Sequence, residues 1–220
     1  EWNEENARHL LNRVGWTASP KRVKQAVEDG MIKTLENMFP LDFMSKTLTK
    51  PPSVVRFEYE ERELQASLRG ASTPEERNKI RREIQNKERN AIQDLAMQWV
   101  TDASDQKYSA FYKWVLFLSD VYVVGADKVR NPTHICQHFD IIATNAYVKA
   151  PSLTKRISRS PAMIQYLDLN SNDKRAPNEN FARELFELFV LGEGNYNEKD
   201  IKEAAKSFTG YKAKQKEFYV

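Results

Sequence analysis

Apolar residues along this chain recur mostly at helical spacing. Leu10, Leu11 and Val14 form the stripe of a first helix over residues 4–14. Ser19 is placed to cap a second, with Pro20 in its first turn and Gly30 as its stop. Residues 31–38 continue as another short helix. Residues 39–52 show no period and contain Pro40, Pro51 and Pro52, which predicts a loop over the surface.

Residues 55–103 change character, being dense in Glu, Arg and Lys. A break at 70–72 precedes Thr73-Pro74-Glu75-Glu76, a capping box that predicts a helix of about 30 residues. Ile80, Ile84, Ile92, Leu95 and Trp99 lie along one side of it, where Leu64 and Leu68 can meet them across the turn. The segment therefore reads as a charged helical hairpin, either a solvated, salt-bridge-laced face or a partner-docking arm projecting from the body. Tyr108 to Val124 reads as a buried helix, because Phe111, Trp114, Val115, Phe117 and Leu118 leave it little polar surface. Pro132 to Val148 predicts another, and shorter helices start at Pro151 and at Ser160-Pro161. The expected fold class is all-α: one irregular multi-helix domain over residues 1–220, with 55–103 a hairpin insertion.

Composition agrees with this reading. The chain has 220 residues, 40% of them hydrophobic, and only 7 glycines. Its 34 basic and 31 acidic residues leave a formal charge of +3, too weak to suggest a nucleic-acid partner. No stretch approaches the roughly 18 uninterrupted apolar residues of a membrane span. The single cysteine, Cys136, rules out an internal disulfide.

Candidate chemistry concentrates in residues 157–211. In a helix over 178–190, Phe181, Ala182, Leu185, Phe186, Leu188 and Phe189 occupy one arc. Glu179, Arg183 and Glu187 follow at i, i+4 and i+8 on the other, flanked by Asn180 and Glu184, with Asn178 as N-cap. This is either a capped amphipathic helix with a Glu–Arg–Glu ladder, or, if neighbours enclose the polar face, a catalytic site built from Glu179, Arg183, Glu184 and Glu187. The preceding loop, Asp168 to Glu179, places Asp168, Asn170, Asn172 and Glu179 at positions 1, 3, 5 and 12, the spacing of a Ca²⁺ loop. Asp173 at position 6, where glycine is wanted, and Arg175 at position 8 depart from that pattern. The competing reading is a polar loop rich in turn-forming Asn and Asp. His134 and His138 have the i, i+4 spacing of a zinc pair without an evident third ligand, so a structural role is expected. His9 is expected at a core margin. The glycines at 192 and 194 follow a helix instead of preceding one, which excludes a phosphate-cradling loop.

Several of these runs also carry a family resemblance. They are Ala7-Arg-His-Leu-Leu-Asn-Arg-Val-Gly-Trp16, Ser160-Pro-Ala-Met-Ile-Gln-Tyr-Leu-Asp168, Ala176-Pro-Asn-Glu-Asn-Phe-Ala-Arg-Glu-Leu-Phe-Glu-Leu-Phe189, Leu191-Gly-Glu-Gly-Asn-Tyr196 and Asp200-Ile-Lys-Glu-Ala-Ala-Lys-Ser-Phe-Thr-Gly-Tyr211. Together they resemble the bacterial family known as domain of unknown function eighteen-hundred. The resemblance implies a mostly helical, exported protein, periplasmic or in the cell envelope, with no established activity. It implies a partner too: members are often encoded beside an exported family similar to sulfatases and phosphatases. Members usually run well past the point matching Gly210-Tyr211, so the chain is expected to be part of a longer protein. The family's Trp-His-Asn-His-Phe-like motif corresponds here to Phe117-Leu-Ser-Asp-Val-Tyr122, which has no histidine. Any function that relatives draw from those histidines is then expected to be lost, with Asp120 as a candidate substitute oxygen ligand. The expected function is a non-catalytic scaffold or partner of an envelope enzyme. The alternative is a metal-dependent hydrolase or ligand-binding enzyme working from the 178–190 face.

Overall fold

A computed structural model describes residues 1–214 and 217–219. Its helices are α1 (Glu4–Val14), α2 (Pro20–Met38), α3 (Pro52–Gly70), α4 (Pro74–Ala103), α5 (Ser109–Val121), α6 (Ala126–Val129), α7 (Pro132–Thr144), α8 (Ala150–Ile157), α9 (Pro161–Tyr166), α10 (Glu179–Glu184) and α11 (Glu198–Ser207). A π-helical segment, Leu185–Val190, extends α10. Two three-residue strands, β1 (Lys212–Lys214) and β2 (Glu217–Tyr219), pair antiparallel. The all-α class is as expected.

Helix starts follow side-chain capping. Ser19 Oγ accepts from the Arg22 amide, Thr73 Oγ1 from Glu76, Asn131 Oδ1 from Thr133 and His134, and Ser160 Oγ from Met163. Each stands before a proline, which has no amide to leave unsatisfied in the first turn. Gly30, at φ 79° and ψ 166°, breaks α2 where the sequence predicts a stop. A side chain there would meet the steric penalty of the left-handed region.

The main core gathers Phe111, Tyr112 and Val115 of α5, Ile142 of α7, Ile157 of α8, Ile164 of α9 and Phe181 of α10. Burying each of the Phe, Val and Ile side chains among these stabilises the fold by about 1.5–3 kcal/mol before the loss of conformational entropy. A smaller core joins Ala7 and Leu11 of α1 to Val23, Ala26 and Met38 of α2. The loop before α3 is pinned by Phe43, which packs edge-on against Phe111. Helix α7 is the central post. It touches α3, α4, α5, α6, α8 and α9.

Helices α3 and α4 pack against each other, and their base is part of the body. Val54 of α3 and Ala91 of α4 pack on Cys136 of α7, and Trp99 meets Tyr112 edge-on. Glu61 is buried and accepts from Asn131 Nδ2 at 2.7 Å, although its sequence position reads as part of a solvated face. Towards the tip most side chains are exposed, and Lys87 bridges the helices to Glu60 at 2.7 Å.

Helix α5 departs from the expectation of a buried helix. Phe111, Tyr112, Val115 and Leu118 face the core. Trp114 (40% exposed), Phe117 (54%) and Val121 line the outer side at i, i+3 and i+7. That outer side is therefore only partly covered, although its side chains are large and apolar.

Candidate functional site

The loop from Asp168 and the helices after it form one braced unit. Asp168 adopts the left-handed conformation (φ 57°, ψ 25°), uncommon for a residue with a side chain. Its carboxylate holds Lys128 Nζ at 2.7 Å. Asn170 Oδ1 accepts from the Ala213 amide at 2.8 Å. Asn172 is fully buried: its Nδ2 donates to the Ala205 carbonyl (2.9 Å), and its Oδ1 accepts from the Asn178 amide (2.8 Å). Asn178 caps α10 and donates to Ser171 Oγ. The four residues with Ca²⁺-loop spacing are therefore near in sequence, yet each oxygen has a different protein partner. Glu179, the expected closing ligand, turns to Arg183 at 3.6 Å. Among the described residues, no group of three or more His, Cys, Asp or Glu side chains is arranged to hold a metal ion.

The polar face of α10 is half exposed. Arg183 makes a two-pronged bond to Glu198 of α11, both distances 2.8 Å, and so ties the two helices together. That bond raises the Arg183 pKa and lowers that of Glu198. Glu184 is half-buried. Beyond it the helix widens into the π turn, where the Leu191 amide reaches back to the Phe186 carbonyl at 2.7 Å. Glu187 then faces the turn before α11 and accepts from Tyr196 Oη at 2.9 Å. The continuous Glu179–Arg183–Glu187 ladder of the sequence reading is thus replaced: Arg183 bridges Glu179 and Glu198, while Glu187 holds Tyr196. An open cleft of about 490 Å³ lies alongside, lined by Pro177, Glu179, Lys199, Lys202, Glu203 and Lys206.

The histidines are pillars. His138 is buried, with Nε2 2.7 Å from the Tyr122 carbonyl and Nδ1 2.9 Å from Ser160 Oγ. The carbonyl requires a proton on Nε2, so Nδ1 accepts from the serine. The imidazole joins α7 to the end of α5 and to the cap of α9, and burial pushes its pKa down to about 4. His134 is buried too, with Nδ1 3.1 Å from Gln165 Oε1. The two rings thus have different partners. His9 is exposed, not at a core margin as expected, and Asp120 is exposed. Burial pushes the Cys136 thiol up to about 11.

Sequence reasoning missed the outer stripe of α5 as a surface. Trp114 and Phe117 stack on it, centroids 5.2 Å apart and 16° from parallel. Trp114 Nε1 donates to the Ala146 carbonyl at 2.8 Å, and the next residues along the chain, Tyr147 and Val148, are exposed. At the other end Tyr122 stacks on Phe189 of the π segment, and their chain neighbours Val121, Val123, Leu188 and Val190 are exposed. The signal was present in the i, i+3, i+7 spacing of Trp114, Phe117 and Val121, but composition cannot tell a covered stripe from an open one.

Fold and site together define an all-α, multi-helix protein whose ionic groups mostly brace its helices. The family model described as "Protein of unknown function (DUF1800)" matches residues 9–220, and the chain belongs to that family. No curated protein and no solved structure matches it.

Proposed function

We propose that this is a non-catalytic exported bacterial protein that acts as a scaffold or partner of an envelope enzyme. The observation that carries the reading is the exposed apolar stripe of Trp114, Phe117 and Val121 on α5. Contiguous apolar surface is costly to keep in water and marks interaction sites. Stacked Trp and Phe are efficient anchors, because they offer large area for little lost rotamer freedom. The family resemblance favours an exported sulfatase- or phosphatase-like protein as the partner, and export to the periplasm or cell envelope as the setting. The test mixes the protein with an exported sulfatase-like protein of the kind encoded beside family members and measures binding by calorimetry. Trp114→Ala and Phe117→Asp are each expected to weaken binding by at least about ten-fold. No complex, or a complex indifferent to both changes, would overturn the reading.

The second reading, a metal-dependent hydrolase or ligand-binding enzyme using Glu179, Arg183, Glu184 and Glu187, draws on the open cleft beside Glu179. It requires stoichiometric uptake of Ca²⁺ or another divalent ion that is lost in Glu179→Ala. Calorimetry without such uptake would remove it.

A further inference from the structure

On a different face of α5 the hairpin encloses an apolar cavity. Leu95 and Trp99 of α4, Leu116 of α5, and Ile135, Cys136 and Phe139 of α7 form its walls, around a volume of about 380 Å³. That volume lies within the roughly 300–1,000 Å³ of small-molecule pockets, which are predominantly apolar with a few polar groups. Val100 and Leu116 line the cavity and remain exposed, so it opens to the surface.

Its polar groups are few, and they differ in charge from what an anionic lipid would need. Thr49 and Ser119 contribute hydroxyls, and Asp102 contributes a half-buried carboxylate that accepts from Gln98 Nε2 at 2.8 Å. Lys50, close enough to act on the Cys136 thiol, is already paired with Glu58 at 2.9 Å. The carboxylate repels an anionic head and attracts a cationic one. Water gains little against these walls, whose apolar side chains offer it few partners. An alkyl chain removes its own surface and that of the walls from water together.

We propose that this cavity binds a single unbranched alkyl chain carrying a neutral or cationic polar end, with the chain against Cys136 and Phe139 and the polar end towards Asp102. The site is independent of the stripe at Trp114 and Phe117, so its failure leaves the proposed docking surface untouched.

The experiment uses the full-length protein and the neutral fluorophore N-phenyl-1-naphthylamine. Saturable one-to-one binding is expected, with displacement by dodecyltrimethylammonium or dodecanol at least about five-fold more effective than by dodecanoate below micellar concentration. Asp102→Asn should bring dodecanoate to within about two-fold of the cation. Ala96→Trp, at an exposed lining position of α4, should fill the space and weaken every ligand by more than about ten-fold with an unchanged circular dichroism spectrum. Occupancy should also slow labelling of Cys136, the single cysteine. Co-sedimentation with phosphatidylcholine vesicles, lost in the same Ala96→Trp variant, would assign the chain to a membrane lipid, and its absence to a free amphiphile. No saturable binding, binding unchanged by Ala96→Trp, or equal affinity for all three heads would overturn the proposal.

Discussion

Acid should loosen this protein through His138. The imidazole is buried and neutral, held by the Tyr122 carbonyl and the Ser160 hydroxyl. Its pKa falls from 6.5 to about 4 on folding because burial disfavours the charged ring. Between those values the unfolded chain binds the proton and the folded chain does not, so stability falls as pH falls. The contribution is fully present above pH 6.5 and lost progressively towards pH 4. Each unit of difference corresponds to about 1.4 kcal/mol, so the loss between pH 7.5 and pH 5 is on the order of 2 kcal/mol. Urea unfolding at several pH values measures it. The His138→Gln variant starts from a lower stability, since it loses the ring's packing, but its stability should vary less over the same window by about that amount. The ring's own proton resonances should titrate near pH 4. A native titration of His138 near 6.5, or identical pH slopes in the two proteins, would refute the reasoning.

Other changes test the bracing and the caps. Asn172→Ala removes both ends of a buried amide and leaves the Ala205 carbonyl and the Asn178 amide without it, so a loss of about 2–3 kcal/mol is expected in denaturant unfolding. Thr73→Ala removes the cap of α4 and should cost about 1 kcal/mol, seen by hydrogen exchange as faster opening of the hairpin tip while α7 stays protected. Cys136, with its thiol pushed up to about 11, should react with a soluble disulfide reagent at pH 8 about a hundred-fold slower than an unperturbed thiol, from thiolate fraction alone, and recover in urea. Rapid native labelling would contradict its burial.

Much of the fold was legible along the chain, because helix starts and stops depend on neighbours three or four residues away. The Ser19-Pro20, Thr73-Pro74 and Ser160-Pro161 starts and the Gly30 break are local events, decided by side chains that reach their own backbone and by one backbone conformation. The start of α4 at Thr73-Pro74 was legible for the same reason. Which polar groups meet was not, because that depends on distant segments. Glu61 reads like any other charge on α3 until Asn131, seventy positions on, arrives beside it. The oxygens of Asp168, Asn170 and Asn172 have the spacing of a metal loop, but Lys128, Ala213 and Asn178 claim them separately. The π turn after Glu184 redirects Glu187 to Tyr196, a one-residue change of register that a 3.6-residue period does not contain. The outer side of α5 was written in its hydrophobic spacing, yet only packing against α7, α8 and α9 reveals which side the core takes and which is left facing water. Local spacing determines what a segment can become. Only the assembled chain, through contacts whose energy depends on burial, decides which of its groups are enclosed.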